Sequence, residues 1–173
     1  MRLGGGCGLM SFQSAGTSMG TEIERKFLVS GESWRENASG EPCRQGYLAV
    51  GPPVAVRVRI MGGKATLNVK KATLDVVRDE FEYVIPERDA LDMLDGLCAG
   101  YVIEKVRYRA CYAGKAWEID EFGGANAGLV VAEIELARTD EEFERPPWLG
   151  QEVTADPRYL NSSLSRHPYS LWR

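Results

Sequence analysis

Apolar and charged residues alternate at period two through much of this chain. The alternation begins at Thr21 to Val29, where Glu22, Glu24 and Lys26 fall on one side of an extended segment and Ile23, Arg25 and Phe27 on the other. The same pattern predicts strands over residues 44–50, 54–60, 65–71, 75–85, 101–112, 115–122 and 129–136. Gly62-Gly63 and Ala113-Gly114 predict tight hairpins, since glycine accepts the positive φ that two-residue loops need. Pro86-Glu87-Arg88-Asp89 opens a helix with Leu91, Leu94 and Leu97 as its apolar stripe, ending near Gly100. A helical turn is expected at 33–37, broken by Gly40-Glu41-Pro42, and another at 140–143 before Pro146-Pro147. A short strand over 151–154 and short helices over 156–164 and 168–173 complete the chain, with Tyr159, Tyr169 and Trp172 as packing residues.

The charges on these strands sort by sign. Arg57-x-Arg59, Lys105-x-Arg107-x-Arg109, Glu80-x-Glu82, Glu118-x-Asp120 and Glu133-x-Glu135 each share one strand face. A sheet solvated on one face would also alternate, but would mix Lys and Glu with Ser, Thr and Gln. Antiparallel strands closed into a barrel turn such faces inward and can enclose a cavity. Buried charge costs several kcal/mol per ion unless it meets opposite charge or a ligand. A polyanion carrying a hard cation meets both demands: Arg and Lys hold phosphate oxygens, while Glu and Asp hold the metal that bridges them. The pattern therefore favours a triphosphate site.

Composition narrows the class. At 173 residues, 44% apolar and 27% charged, the chain reads as one globular domain. A net charge of −4 argues against a general nucleic-acid surface, and no apolar run approaches the roughly 18 residues of a membrane-spanning helix. Cys7, Cys43, Cys98 and Cys111 show no CxxC pair and read as reduced thiols, in keeping with a cytoplasmic protein. With His167 the sole histidine, a zinc site has little support, so a metal here would take oxygen ligands and be Mg²⁺, Mn²⁺ or Ca²⁺. Residues 1–18, rich in Gly and Ser, predict a disordered extension ahead of a single domain over 19–173.

Glu22-Ile23-Glu24-Arg25-Lys26 resembles the ExExK signature of the CYTH superfamily, the triphosphate tunnel metalloenzymes. Arg57-x-Arg59, Lys70, Glu80-x-Glu82, Lys105-x-Arg107, Glu118-x-Asp120 and Glu133-x-Glu135 follow in that family's order, over roughly residues 21 to 165. The resemblance implies an α+β fold built on an eight-stranded antiparallel β-barrel, or tunnel, with flanking helices. Activities in the family include inorganic triphosphatase, thiamine triphosphatase, RNA triphosphatase and class IV adenylate cyclase. Gly46-Tyr47-Leu48 and Glu152-Val153-Thr154-x-Asp156-x-Arg158-Tyr159-x-Asn161 are most similar to small bacterial members that hydrolyse inorganic tripolyphosphate.

On that resemblance Glu22, Glu24, Asp120, Glu133 and Glu135 would ligate Mg²⁺ or Mn²⁺, with Glu80, Glu82 and Glu118 completing or orienting the shell. Arg57, Arg59, Lys70, Arg78, Lys105, Arg107 and Arg109 would clamp the phosphates. Lys26 would pair with the Tyr47 hydroxyl and take part in catalysis, although a phenol of ordinary pKa about 10 needs a neighbouring cation to act as a base. The expected partner is a small-molecule triphosphate rather than nucleic acid or membrane, and a homodimer stays open. Class IV adenylate cyclase, thiamine triphosphatase and a non-catalytic polyphosphate or nucleotide-binding module remain as alternatives.

Overall fold

The computed structural model describes residues 23–71 and 80–172. The expected disorder of 1–18, together with Glu22 and Arg78, lies outside them. Among the described residues nine strands form one antiparallel sheet: β1 (Ile23–Val29), β2 (Ser39–Ala49), β3 (Val54–Met61), β4 (Lys64–Lys71), β5 (Glu80–Val84), β6 (Ile103–Tyr112), β7 (Lys115–Phe122), β8 (Val130–Leu136) and β9 (Leu149–Glu152). Their spatial order is β5-β4-β3-β2-β6-β7-β8-β1-β9.

The antiparallel, mainly β expectation holds; the closed eight-strand ring does not. Among the described residues β5 and β9 are edges, because β9 takes the side of β1 through which a ring would close, pairing Phe27 with Glu152 and Val29 with Leu149 around a bulge. The last strand thus precedes the expected 151–154. β2 is also longer than expected, running straight through Gly40-Glu41-Pro42. Pro42 is tolerated because pairing with β3 begins only at Cys43 opposite Met61, so at Pro42 the strand has β6 alone beside it. At Gly62 and Gly63, φ values of 56° and 73° close the expected two-residue hairpin.

The sheet is inside out by the standards of a soluble β-protein. Apolar side chains cover the face turned away from the charges. Phe27, Trp34, Trp117, Ile119, Ile134 and Trp148 pack there with the 3₁₀ turn of Ser33–Asn37 and the 139–148 segment, and Trp117 meets Phe27, Phe143 and Trp148 edge to face. That segment is irregular past a turn at 139–140 and lacks the expected helical turn. A second cluster, Val58, Ala65, Ala90 and Leu94, seats helix α1 (Glu87–Gly96) on the backs of β2, β3 and β4. Its buried stripe is Ala90 and Leu94 with Met93 alongside, whereas Leu91 and Leu97 are exposed, so the helix is rotated from the Leu91/Leu94/Leu97 expectation. A third cluster, Ile103, Phe122, Leu129 and Val131, lies on the charged face at one end and is covered by Leu164 of α2 (Asn161–Leu164) with Tyr159, Tyr169 and Trp172.

α1 controls the aim of β2. Gly46 lies against it so closely that a Cβ would stand 2.4 Å from Cys98 Sγ and 3.2 Å from Leu94 Cδ2. That contact fixes the back of β2 where its neighbours Gln45 and Tyr47 turn to the other face. Gly46→Ala is expected to destabilise the fold by about 1–3 kcal/mol through overpacking. Thermal denaturation should show the loss, and Cys98→Ala in the same chain should recover part of it.

Candidate active site

Strand register places the described members of the charged sets on one face of the sheet. Tyr47, Arg57, Asn68 and Glu82 form one row across β2, β3, β4 and β5, since each stands opposite the next. Gln45, Arg59 and Thr66 form the row on one side of it, and Lys70 stands opposite Glu80 on the other. Across the other strands Lys105 faces Phe122, Arg107 faces Asp120, and Arg109 faces Glu118. Glu118 in turn faces Glu133, Glu133 faces Lys26, and Glu135 faces Glu24. Residues from opposite ends of the chain meet here because β1 is inserted between β8 and β9.

The β6–β7–β8–β1 side is a closed ionic network centred on Asp120, which is 1% exposed. Its Oδ1 accepts from Arg107 Nε at 2.7 Å, and its Oδ2 accepts from Arg107 Nη2 at 2.7 Å and from Lys105 Nζ at 2.6 Å. Arg107 also donates to Glu118 and, at 3.0 Å, to Glu133 Oε2. Lys26 Nζ binds Glu24 and, at 2.5 Å, Glu133 Oε1. Burial alone would favour the neutral acid at Asp120, but Lys105 and Arg107 reverse this and hold the carboxyl well below its ordinary range. Burial likewise opposes the charge of Arg107, yet Asp120, Glu133 and Glu118 outweigh it and hold the guanidinium above its usual value.

The β2–β3–β4 side is cationic and less compensated. Arg59 reaches Glu82 at 3.2 Å, and its pKa is lowered first by burial and then by Arg57 two residues away. Tyr47 is pushed upward by burial, and Arg57 and Arg59 only partly offset this. The phenol therefore stays protonated at neutral pH. The expected Lys26–Tyr47 hydrogen bond is not among those of the described residues: Lys26 turns to Glu24 and Glu133, and Tyr47 to Arg57.

The acidic residues divide by what they touch. Both oxygens of Asp120 are committed to cations, Glu82 holds Arg59, and Glu118 holds Arg107 and lies 3.7 Å from Arg109. Glu24, which Lys26 binds, stands directly opposite Glu135 across β1 and β8. Their all-oxygen donor set suits a hard divalent ion. Among the described residues no three Asp, Glu, His or Cys side chains are gathered as a metal cage. Glu133 is shared between Lys26 and Arg107 and must leave them to bind one.

A model of the CYTH domain matches residues 20–169. The chain belongs to the CYTH family. An inorganic triphosphatase of Acetivibrio thermocellus is 48% identical over 151 residues, covering 87% of this chain and 97% of its own. An inorganic triphosphatase of Nitrosomonas europaea is 36% identical, covering 84% and 97% respectively. The crystal structure of an inorganic triphosphatase superposes with a TM-score of 0.66 at 34% identity, over 86% of this CYTH chain and 97% of the other. A conserved protein of Pyrococcus furiosus, at 21% identity and a TM-score of 0.51, shares the fold. No helix among the described residues is long and apolar enough to cross a membrane.

Four side chains in the site were not among the expected site residues: Gln45, Thr66, Asn68 and Asn161. The first three are neutral and buried on the charged face; Asn161 Oδ1 accepts from Lys105 Nζ at 3.4 Å. Strand parity could have found Gln45, because it is two residues from Tyr47 and from Cys43. Nothing short of tertiary structure brings Asn161 to Lys105.

Asp120 makes the network pH-sensitive. Its folded pKa is depressed, so its stabilisation is complete above the unfolded value near 4 and is lost as pH falls through and below that point. Asp120→Asn should cost about 3 kcal/mol or more at neutral pH by leaving Lys105 and Arg107 under-compensated. Melting temperatures from pH 7 down to pH 3 should fall for the native protein below pH 4 and show a weaker acid dependence in the variant.

Proposed function

We propose that this protein is an inorganic triphosphatase, hydrolysing tripolyphosphate to diphosphate and phosphate with Mg²⁺ or Mn²⁺. The observation that carries this reading is the single charged face, which sets cations on β3 and β4 and carboxylates on β8 and β1 of one sheet. The two triphosphatase relatives, aligned over nearly their whole lengths, support the choice of substrate.

Arg57 and Arg59, with Lys70, Lys105, Arg107, Arg109 and Arg78, bind and align the phosphate chain, the arginines through their planar forks. Glu24, Glu133 and Glu135, with Glu22, would hold the divalent ion. When bound, that ion neutralises charge on the phosphate oxygens and favours attack at the terminal phosphorus. Asp120 serves instead to hold Lys105 and Arg107 in place, because its oxygens are already occupied. Glu82 and Glu118 likewise orient the arginines they touch. Phosphate oxygens on Arg107 and Lys26 would compete with Glu133, which those two cations hold in this structure.

Lys26 lies beside the carboxylates, and Tyr47 lies at the phosphate clamp. A phenol whose pKa is raised by burial becomes a base only in strongly alkaline solution. If the Tyr47 phenolate assists attack, the rate should climb with pH towards and beyond about 10. Tyr47→Phe should remove that alkaline rise, and an unchanged pH–rate profile would take Tyr47 out of proton transfer.

The substrate is tested by phosphate release from tripolyphosphate, ATP and thiamine triphosphate with Mg²⁺ or Mn²⁺, and again after chelation. Tripolyphosphate should be turned over fastest and chelation should stop the reaction. Faster turnover of ATP or thiamine triphosphate, or formation of cyclic AMP and pyrophosphate from ATP, would overturn the assignment.

A further inference from the structure

Two buried neutral side chains on the charged face hold polar atoms that the protein itself does not satisfy. Gln45 is 1% exposed: its Oε1 faces the Cys43 thiol at 3.9 Å, while its Nε2 has no hydrogen-bond partner. Thr66 is 3% exposed, and its Oγ1 has none either. Both flank a single residue. Gln45 stands opposite Arg59 on β2–β3, and Arg59 stands opposite Thr66 on β3–β4, so the three lie side by side across adjacent strands. In the next row Arg57 Nε is also unpartnered. Arg59 itself reaches Glu82 at 3.2 Å, as Lys105, Arg107 and Lys26 further along the same face are bound to carboxylates.

A buried donor without a partner costs about 1–3 kcal/mol, and a leucine or valine at either position would avoid that cost. Two such groups beside one arginine fit a ligand that brings its own acceptors. We propose that Gln45 and Thr66, together with Arg59, bind the non-bridging oxygens of one phosphoryl group of the substrate. This rests on the triphosphate reading of the site.

The chemistry suits the position. Phosphate oxygens only accept, and three donors spaced about 4.8 Å apart on neighbouring strands can converge on one tetrahedral group. An amide and a hydroxyl add hydrogen bonds without adding positive charge beside Arg57 and Arg59, which already disfavour one another. The hydroxyl can rotate to the oxygen it meets. The amide is oriented by Cys43 on its carbonyl side, leaving its N–H groups available.

Near-isosteric replacements, Gln45→Met and Thr66→Val, separate this role from a structural one. If the polar atoms await a ligand, each variant melts at or above the native temperature when ligand-free. KM for tripolyphosphate then rises about tenfold or more, the loss expected for a hydrogen bond to a charged group. The increase in melting temperature caused by metal-free tripolyphosphate shrinks in parallel. Gln45→Glu, which keeps the side chain's length but sets a carboxylate towards the phosphate, should lose more. Variants that melt lower while keeping the native KM, or that match the native protein in both, overturn the inference. The thermal shift does not depend on turnover. A native protein that is stabilised by tripolyphosphate but does not hydrolyse it counts against the hydrolytic reading alone. An equal shift in native and variant proteins counts against Gln45 and Thr66 alone, and the absence of any shift in the native protein overturns both.

Discussion

The bidentate hold of Arg107 on Asp120, shared with Lys105, is the interaction on which the charged face depends. An aspartate that is 1% exposed survives as an anion only because two cations bind both of its oxygens. Arg107 then passes the linkage to Glu118 and Glu133, and Glu133 passes it to Lys26 and so to Glu24. Strands β6, β7, β8 and β1 are thereby joined through side chains on one face as well as through their backbones. The apolar residues, displaced from that face, pack behind it under α1 and under Trp34, Phe143 and Trp148.

The two sides of the face differ in what they lack. On the β6–β1 side acids and bases satisfy one another, and a polyanion must compete with Asp120, Glu118 or Glu133 for any cation there. On the β2–β4 side Arg57, Gln45 and Thr66 carry buried atoms with no partner, and Arg59 has its pKa lowered by burial and by Arg57. An incoming anion gains most on the second side. The first side carries the carboxylates, Glu24 opposite Glu135 and Glu118 opposite Glu133.

The end capped by α2 adds a further constraint. Leu164, Tyr159, Tyr169 and Trp172 cover the apolar patch of Ile103, Phe122 and Val131, and Tyr159 and Tyr169 meet Trp172 edge to face. From this cover Asn161 reaches Lys105. The last part of the chain therefore does more than pack, because it touches a cation of the site.

The sequence by itself determined the strands, the sign of each charged face and the membership of those faces in one site, because side-chain parity along a strand is a local property. Glu24 and Lys26, Arg57 and Arg59, and Glu133 and Glu135 could be grouped by counting alone. It did not determine who pairs with whom. Asp120 reads like its acidic neighbours, yet only the register with Arg107 and the reach of Lys105 make it an internal counter-ion. Gln45 and Thr66 carry no charge to mark them, and their role emerges only when Arg59 stands between them. Leu91 and Leu97 spell a helical stripe, but the helix turns Ala90 and Leu94 inward, since what counts is the fit to Val58 and Ala65. The ring that the strand count suggested is open for a similar reason: four residues after Trp148 occupy the edge of β1, and edge pairing is decided by distant segments meeting, which no local pattern records.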